Sequence, residues 1–183
     1  MSEDSIEVQE YVESYIPGLI GKRLEEKPVP GMEGTEFTFQ FIIEGEQSIA
    51  YGVTIKDAKE ISVAPGKLES PMVTMTLTED MIRRMVDQVS SLTGKNQYET
   101  VRQAKGTLHL KMDMPGDWSM PVDFTFNGAS EPNVTISGSA EVFQKIAAGE
   151  LNGPAAFMQG QIKMDGDMAF ALSIANLMPG GSF

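Results

Sequence analysis

Acid–base and metal chemistry need clustered titratable side chains, and this sequence supplies few. His109 is the only histidine, which excludes mechanisms that require two. It stands with Thr107, Lys111 and Asp113 on one phase of a run whose other phase is Leu108, Leu110 and Met112, so it reads as a solvated strand position. The absence of cysteine removes thiolate nucleophiles, disulfides and cysteine metal ligands together. Asp165 and Asp167 flank Gly166, and Asp113 and Asp117 flank Pro115-Gly116; carboxylates so placed support turns, and neither group has the spacing of a calcium loop. Glu79 and Asp80 fall in the first turn of a predicted helix, where the helix dipole is reason enough for them. No H-E-x-x-H, G-x-S-x-G or phosphate-cradling glycine loop occurs. Asn133-Val134-Thr135 fits the glycosylation triplet but lies in a predicted strand without a secretion signal. The residues therefore point to no catalytic group, no metal and no cofactor.

The whole-chain properties agree. In 183 residues, 26 acidic side chains oppose 14 basic ones, for a net charge of -12. Such a surface repels phosphate backbones and anionic bilayers, so nucleic acid is not an expected partner and membrane contact is at most transient. Lys22, Arg23 and Lys27 form a weak basic cluster, diluted by Glu25 and Glu26. The opening MSEDSIEVQE lacks the basic and apolar regions of a secretory signal, and no apolar run approaches the roughly 20 residues of a spanning helix. The expected location is cytoplasmic. Methionine is abundant, 13 residues against one tryptophan, and flexible thioethers suit irregular apolar surfaces, in a core or against a guest.

The elements that would position an apolar site follow from periodicity. Val8, Tyr11, Val12, Tyr15 and Ile16 share one face of a predicted helix over 4–16, capped by Asp4 and broken at Pro17-Gly18. Phe37 to Ile43 and Ile49 to Ile55 alternate as strands joined by a hairpin at Glu44 to Gln47, and Ile61 and Val63 make a third. One face of this meander is expected to be apolar and the other wet. Val73, Met75 and Leu77 lead into a helix of roughly 79–92 with a stripe of Met81, Ile82, Met85, Val86 and Val89. Residues 95–105 are ambiguous, with a short helix around Tyr98 and Val101 as one reading. Strands resume at Leu108 to Met114, Val122 to Phe126 and Val134 to Ile136, before helices at about 139–148 and from Pro154 to Met158. A closing hairpin of Ile162 to Met164 and Met168 to Ile174 turns at Asp165-Gly166, with small residues Ala169, Ala171, Ser173 and Ala175 opposite the large ones. Residues 70–86 and 131–147 echo one another 61 positions apart, each with a Pro, a Val-Thr pair and a strand entering a helix, and Gly106 and Gly160 then each introduce a strand.

At residues 149–172, GELNGPAAFMQGQIKMDGDMAFAL, the chain resembles the sterol carrier protein 2 family. Phe157, Met158, Gly160, Ile162, Lys163, Gly166, Asp167 and Met168 carry the match, and the Thr-rich run ending in Glu79-Asp80 is similar to the family's first half. The resemblance implies an α+β fold: a twisted, mostly antiparallel sheet covered by helices on one face, with an apolar tunnel between them. The similar parts cover roughly 30–89 and 139–177; the chain departs from the family's pattern at about 90–138, where an insertion of extra strands or a partial duplication is expected to enlarge a single domain over 1–183. The resemblance also implies ligand contacts from Met81, Met85, Phe143, Phe157, Met158, Phe170 and Leu172. The leading expectation is non-catalytic binding or transfer of a hydrophobic, lipid-like molecule. A structural or interaction module with a filled core, and an accessory domain presenting acyl substrates to a separate enzyme, stand as alternatives; the oligomeric state is open.

Overall fold

Phe37, Phe39, Phe41 and Ile43 alternate with more polar residues, and they lie buried along the apolar face of β1 (Glu36–Glu44). A computed structural model describes residues 7–45, 47–82, 94–116 and 118–177. Among these residues seven further strands join it in one mixed sheet: β2 (Ile49–Lys56), β3 (Glu60–Pro65), β4 (Val73–Thr78), β5 (Gly106–Met114), β6 (Trp118–Phe126), β7 (Asn133–Ser139) and β8 (Ile162–Gly166). Their order is β3-β2-β1-β4-β6-β5-β7-β8. All neighbouring pairs are antiparallel except β1 with β4 and β5 with β7.

The two parallel pairs expose a repeated plan. The hairpin β1-β2, extended by β3, is followed by β4, which lies parallel to β1 with Phe39 opposite Val73. The hairpin β5-β6 is followed by β7, which lies parallel to β5 with Thr107 opposite Asn133. The backbone turns helical at Glu79 after β4 and at Ala140 after β7. The sequence echo thus falls on equivalent strands and helix starts. Beyond β7 lies β8, and the corresponding place beyond β4 is taken by β6.

Helices bury the apolar face. The first is continuous from Val8 to Glu26: α1 (Val8–Glu10), a π-helical turn (Tyr11–Tyr15) and α2 (Ile16–Glu26). Pro17-Gly18 does not break it. The wider π turn sits immediately before Pro17, where the ring displaces a carbonyl and removes an N–H, and the helix absorbs both within this turn. Tyr11, Val12, Ile16, Ile20 and Leu24 then fall on one buried face against β3. Burial, and secondarily the Glu13 carboxylate on the π turn, push the Tyr51 phenol up from its ordinary value. Further α-helices among the described residues are α3 (Lys95–Gln103), α4 (Ala140–Ala147), α5 (Gly153–Met158) and α6 (Met168–Ser173), besides the helical start at Glu79. They contribute Val101, Phe143, Ile146, Ala156 and Phe170 to the core. Asp4, Met85, Val86, Val89 and Asp117 lie outside the described residues.

Two expectations are corrected here. The last segment, 168–174, is helix α6 rather than the second strand of a hairpin, and β8 pairs antiparallel with β7 instead. Phe170 and Ile174 are separated by four residues, a spacing that serves a strand face and a helix face equally. The Asp167 carboxylate decides for the helix by accepting the Phe170 N–H at 2.7 Å. The second face of the meander is also not uniformly wet. Gln40 is buried there, its Oε1 accepting the Leu68 N–H at 2.7 Å while its Nε2 donates to the Tyr51 and Gly66 carbonyls. Thr38 Oγ1 accepts the Met72 N–H, so the segment from Gly66 to Met72 lies across β1 and β2.

Candidate functional site

Where α3 ends and α6 begins, two polar side chains fix the walls of a groove. Asn127, in a left-handed conformation, donates from Nδ2 to the Val101 and Ala104 carbonyls at 2.8 and 2.7 Å, closing the last turn of α3. Asp167 caps α6 on the other side. Between them Gly106 begins β5 with φ of +134°; a Cβ there would meet the Pro132 carbonyl oxygen and stand 2.9 Å from the Phe170 ring. Glycine therefore admits Phe170 to the strand end, where it meets Phe126 edge to face with centroids 6.2 Å apart.

The groove has a volume of about 600 Å³. Ala104, Pro132, Ala169 and Phe170 supply apolar lining, and Glu99, Thr100, Gln103, Lys105, Asp167 and Ser173 supply polar groups. Lys105 has no ion-pair partner among the described residues. This combination can hold an apolar body beside a polar end. Nothing in it resembles a nucleophile with its base.

The residues singled out by family resemblance do not converge here. Phe170 lines the groove. Met81 and Phe143 are packed in the core, while Phe157, Met158 and Leu172 are exposed on α5 and α6. Met85 lies outside the described residues. Ala104 was missed because a small residue in an ambiguous stretch carries no periodic signal, and Pro132 stood out only as part of the echo at 131–147.

His109 is half-exposed, and its Nδ1 lies 2.8 Å from Asp123 Oδ1 across the β5-β6 pair. Register continues this row through Thr76, Asp123, His109, Thr135 and Asp165 on five adjacent strands. Within the row the His109–Asp123 pair is a cross-strand contact of the sort that stabilises sheets. Among the described residues, no group of three or more His, Asp or Glu is arranged to hold a metal. No helix among them is long and apolar enough to cross a membrane.

A model of the SCP-2 sterol transfer family matches residues 86–179, about half of the chain. The chain belongs to that family. The match takes in residues 90–138 together with the motif around Phe157 to Asp167, and with it both walls of the groove. Over 53 residues the chain is 43% identical to peroxisomal multifunctional enzyme A of Dictyostelium discoideum, spanning 29% of this chain but only 12% of that protein. The solved sterol carrier protein domain 2 of Helicoverpa armigera is 23% identical with a TM-score of 0.42, covering 54% of this chain and 84% of that one. The sec-alkylsulfatase Pisa1 from Pseudomonas sp. is 16% identical with a TM-score of 0.23, covering 83% of this chain and 14% of that one.

Proposed function

We propose that this SCP-2 family chain binds and transfers a hydrophobic, lipid-like molecule such as a fatty acid, acyl thioester or sterol-like compound, without covalent chemistry. The observation that carries the reading is the groove between α3 and α6, with Phe170 in its lining and Lys105 among its polar groups. Burying even about 300 Å² of guest surface at about 25 cal/mol per Å² contributes several kcal/mol before the costs of association. No acid–base pair is needed. Within this proposal residues 1–183 form one cytoplasmic domain, enlarged by partial duplication, and the repeated plan of β1-β2-β4 and β5-β6-β7 supports that description. Of the residues named by resemblance, Phe170 is the one assigned to ligand contact in the groove.

A second reading has its own support. The matched stretch of the Dictyostelium protein is a small part of a multifunctional enzyme, which favours an accessory domain that presents a bound acyl substrate to a separate catalytic unit. Mass spectrometry of an organic extract of the purified chain, beside a cysteine-free acidic control protein, tests the binding common to both readings. A near-stoichiometric lipid absent from the control is the expected result. An empty extract followed by no uptake of fatty acid or sterol probes overturns the proposal.

A further inference from the structure

We propose that the chain forms a symmetric dimer in which β8 pairs edge to edge with β8 of a second copy. Among the described residues the strand is the last of the sheet, with a strand neighbour only on the β7 side. Two hydrogen bonds fix which of its backbone groups face outward. Thr107 N–H donates to the Pro132 carbonyl, so the even-numbered groups at that end of β7 point toward β5 and the odd-numbered ones toward β8. Asp167 N–H accordingly donates to the Asn133 carbonyl. By alternation, Lys163 and Asp165 direct their backbone groups at β7, and Ile162, Met164 and Gly166 direct theirs at the open edge.

The edge is self-complementary in one register. Antiparallel pairing centred on Met164 sets Ile162 opposite Gly166 of the second copy, so each outward N–H and carbonyl meets its counterpart. Lys163 then lies opposite Asp165 of the second copy, twice, in non-hydrogen-bonded pairs where side chains approach closest. Both side chains are exposed, and neither has an ion-pair partner among the described residues.

A five-residue strand pair alone falls short of the roughly 1,200 Å² of a stable interface. The flanking helices supply apolar surface. Of the six large hydrophobic residues exposed among the described residues, four sit on the helices that enter and leave β8: Phe157 (39% exposed) and Met158 (86%) on α5, Met168 (42%) and Leu172 (60%) on α6. A two-fold axis perpendicular to the sheet at Met164 brings α6 of one copy toward α5 of the other on the same side of the sheet. That position explains why apolar side chains concentrate beside an edge strand.

Sedimentation velocity on the full chain tests the proposal. The wild type is expected at twice 19.9 kDa. Lys163→Asp sets two carboxylates opposite one another and Asp165→Lys two ammonium groups, so each variant alone is expected as a monomer and their equimolar mixture as a heterodimer. Met164→Cys provides a readout independent of charge: in a chain without cysteine it is expected to be joined to its counterpart by a short bifunctional thiol cross-linker, whereas Lys59→Cys, on the β2-β3 turn, is not. A wild type that stays monomeric at every concentration, charge variants that stay dimeric, a mixture that stays monomeric, or equal cross-linking of the two cysteine variants overturns it.

Discussion

The Asp167 carboxylate accepts the Phe170 N–H at 2.7 Å and thereby starts a helix in a stretch whose hydrophobic alternation reads as a strand. This one cap turns Phe170 inward to Phe126 and sets one wall of the groove. Asp167→Ala is expected to lower stability by about 1 kcal/mol, and Asp167→Ser to recover most of it, measured by urea unfolding. Equal losses in both variants would assign the effect to charge instead of capping.

Gly106 is held at φ +134° with Phe170 and the Pro132 carbonyl crowding the place of a side chain. Gly106→Ala combines a disfavoured backbone with displacement of the ring. A loss of about 2 kcal/mol or more is expected by the same assay. A neutral substitution would mean that Phe170 and the strand end shift apart without cost.

Legibility in the sequence followed the physics of each element. Strands with one apolar phase, such as Phe37 to Ile43 and Leu108 to Met114, were readable because burial repeats every second residue. The family motif from Phe157 to Asp167 was readable because several residue types recur at fixed spacing. The helix across Pro17 was not, since the compensating π turn leaves no mark in the pattern of apolar residues. Nor was α6, where i and i+4 positions satisfy both periods and a single side chain decides. The groove was hidden for a different reason: its lining joins Ala104, Pro132 and Phe170, which share no sequence pattern and meet only through the order of the strands.

Gln40 illustrates the same limit on the opposite sheet face. Its position predicts solvent, yet it is buried and ties Leu68, Tyr51 and Gly66 to β1 through one side-chain amide. Gln40→Leu leaves those backbone groups without their partner, so a loss of about 2 kcal/mol is expected. Hydrogen exchange of the Leu68 amide should rise at the same time; unchanged protection would show that another group replaces the glutamine.

Tyr51 sets an alkaline limit. Its phenol is raised by burial and by Glu13, so the folded state favours the neutral form. The stabilisation is complete below the ordinary tyrosine value of about 10 and is lost as pH rises through the higher folded value. Thermal unfolding followed between pH 9 and about 11 should therefore show a shallower decline for Tyr51→Phe than for the wild type. Parallel declines would place the alkaline sensitivity elsewhere.

Occupation of the groove is best tested by filling it while leaving the core intact. Ala169 lines the groove and is exposed on α6, whereas the neighbouring Phe170 is buried. Ala169→Trp places an indole where a guest would lie without removing Phe170 from Phe126. Surface substitutions of this kind usually change stability by no more than about 0.5 kcal/mol. Uptake of a fluorescent fatty acid should weaken at least tenfold, equivalent to about 1.4 kcal/mol of binding free energy. Lys105→Ala should weaken a carboxylate probe more than a neutral sterol probe, because only the former has a charge for the ammonium to meet. If Ala169→Trp binds both probes as the wild type does, the guest occupies another part of the molecule and the groove is not its site.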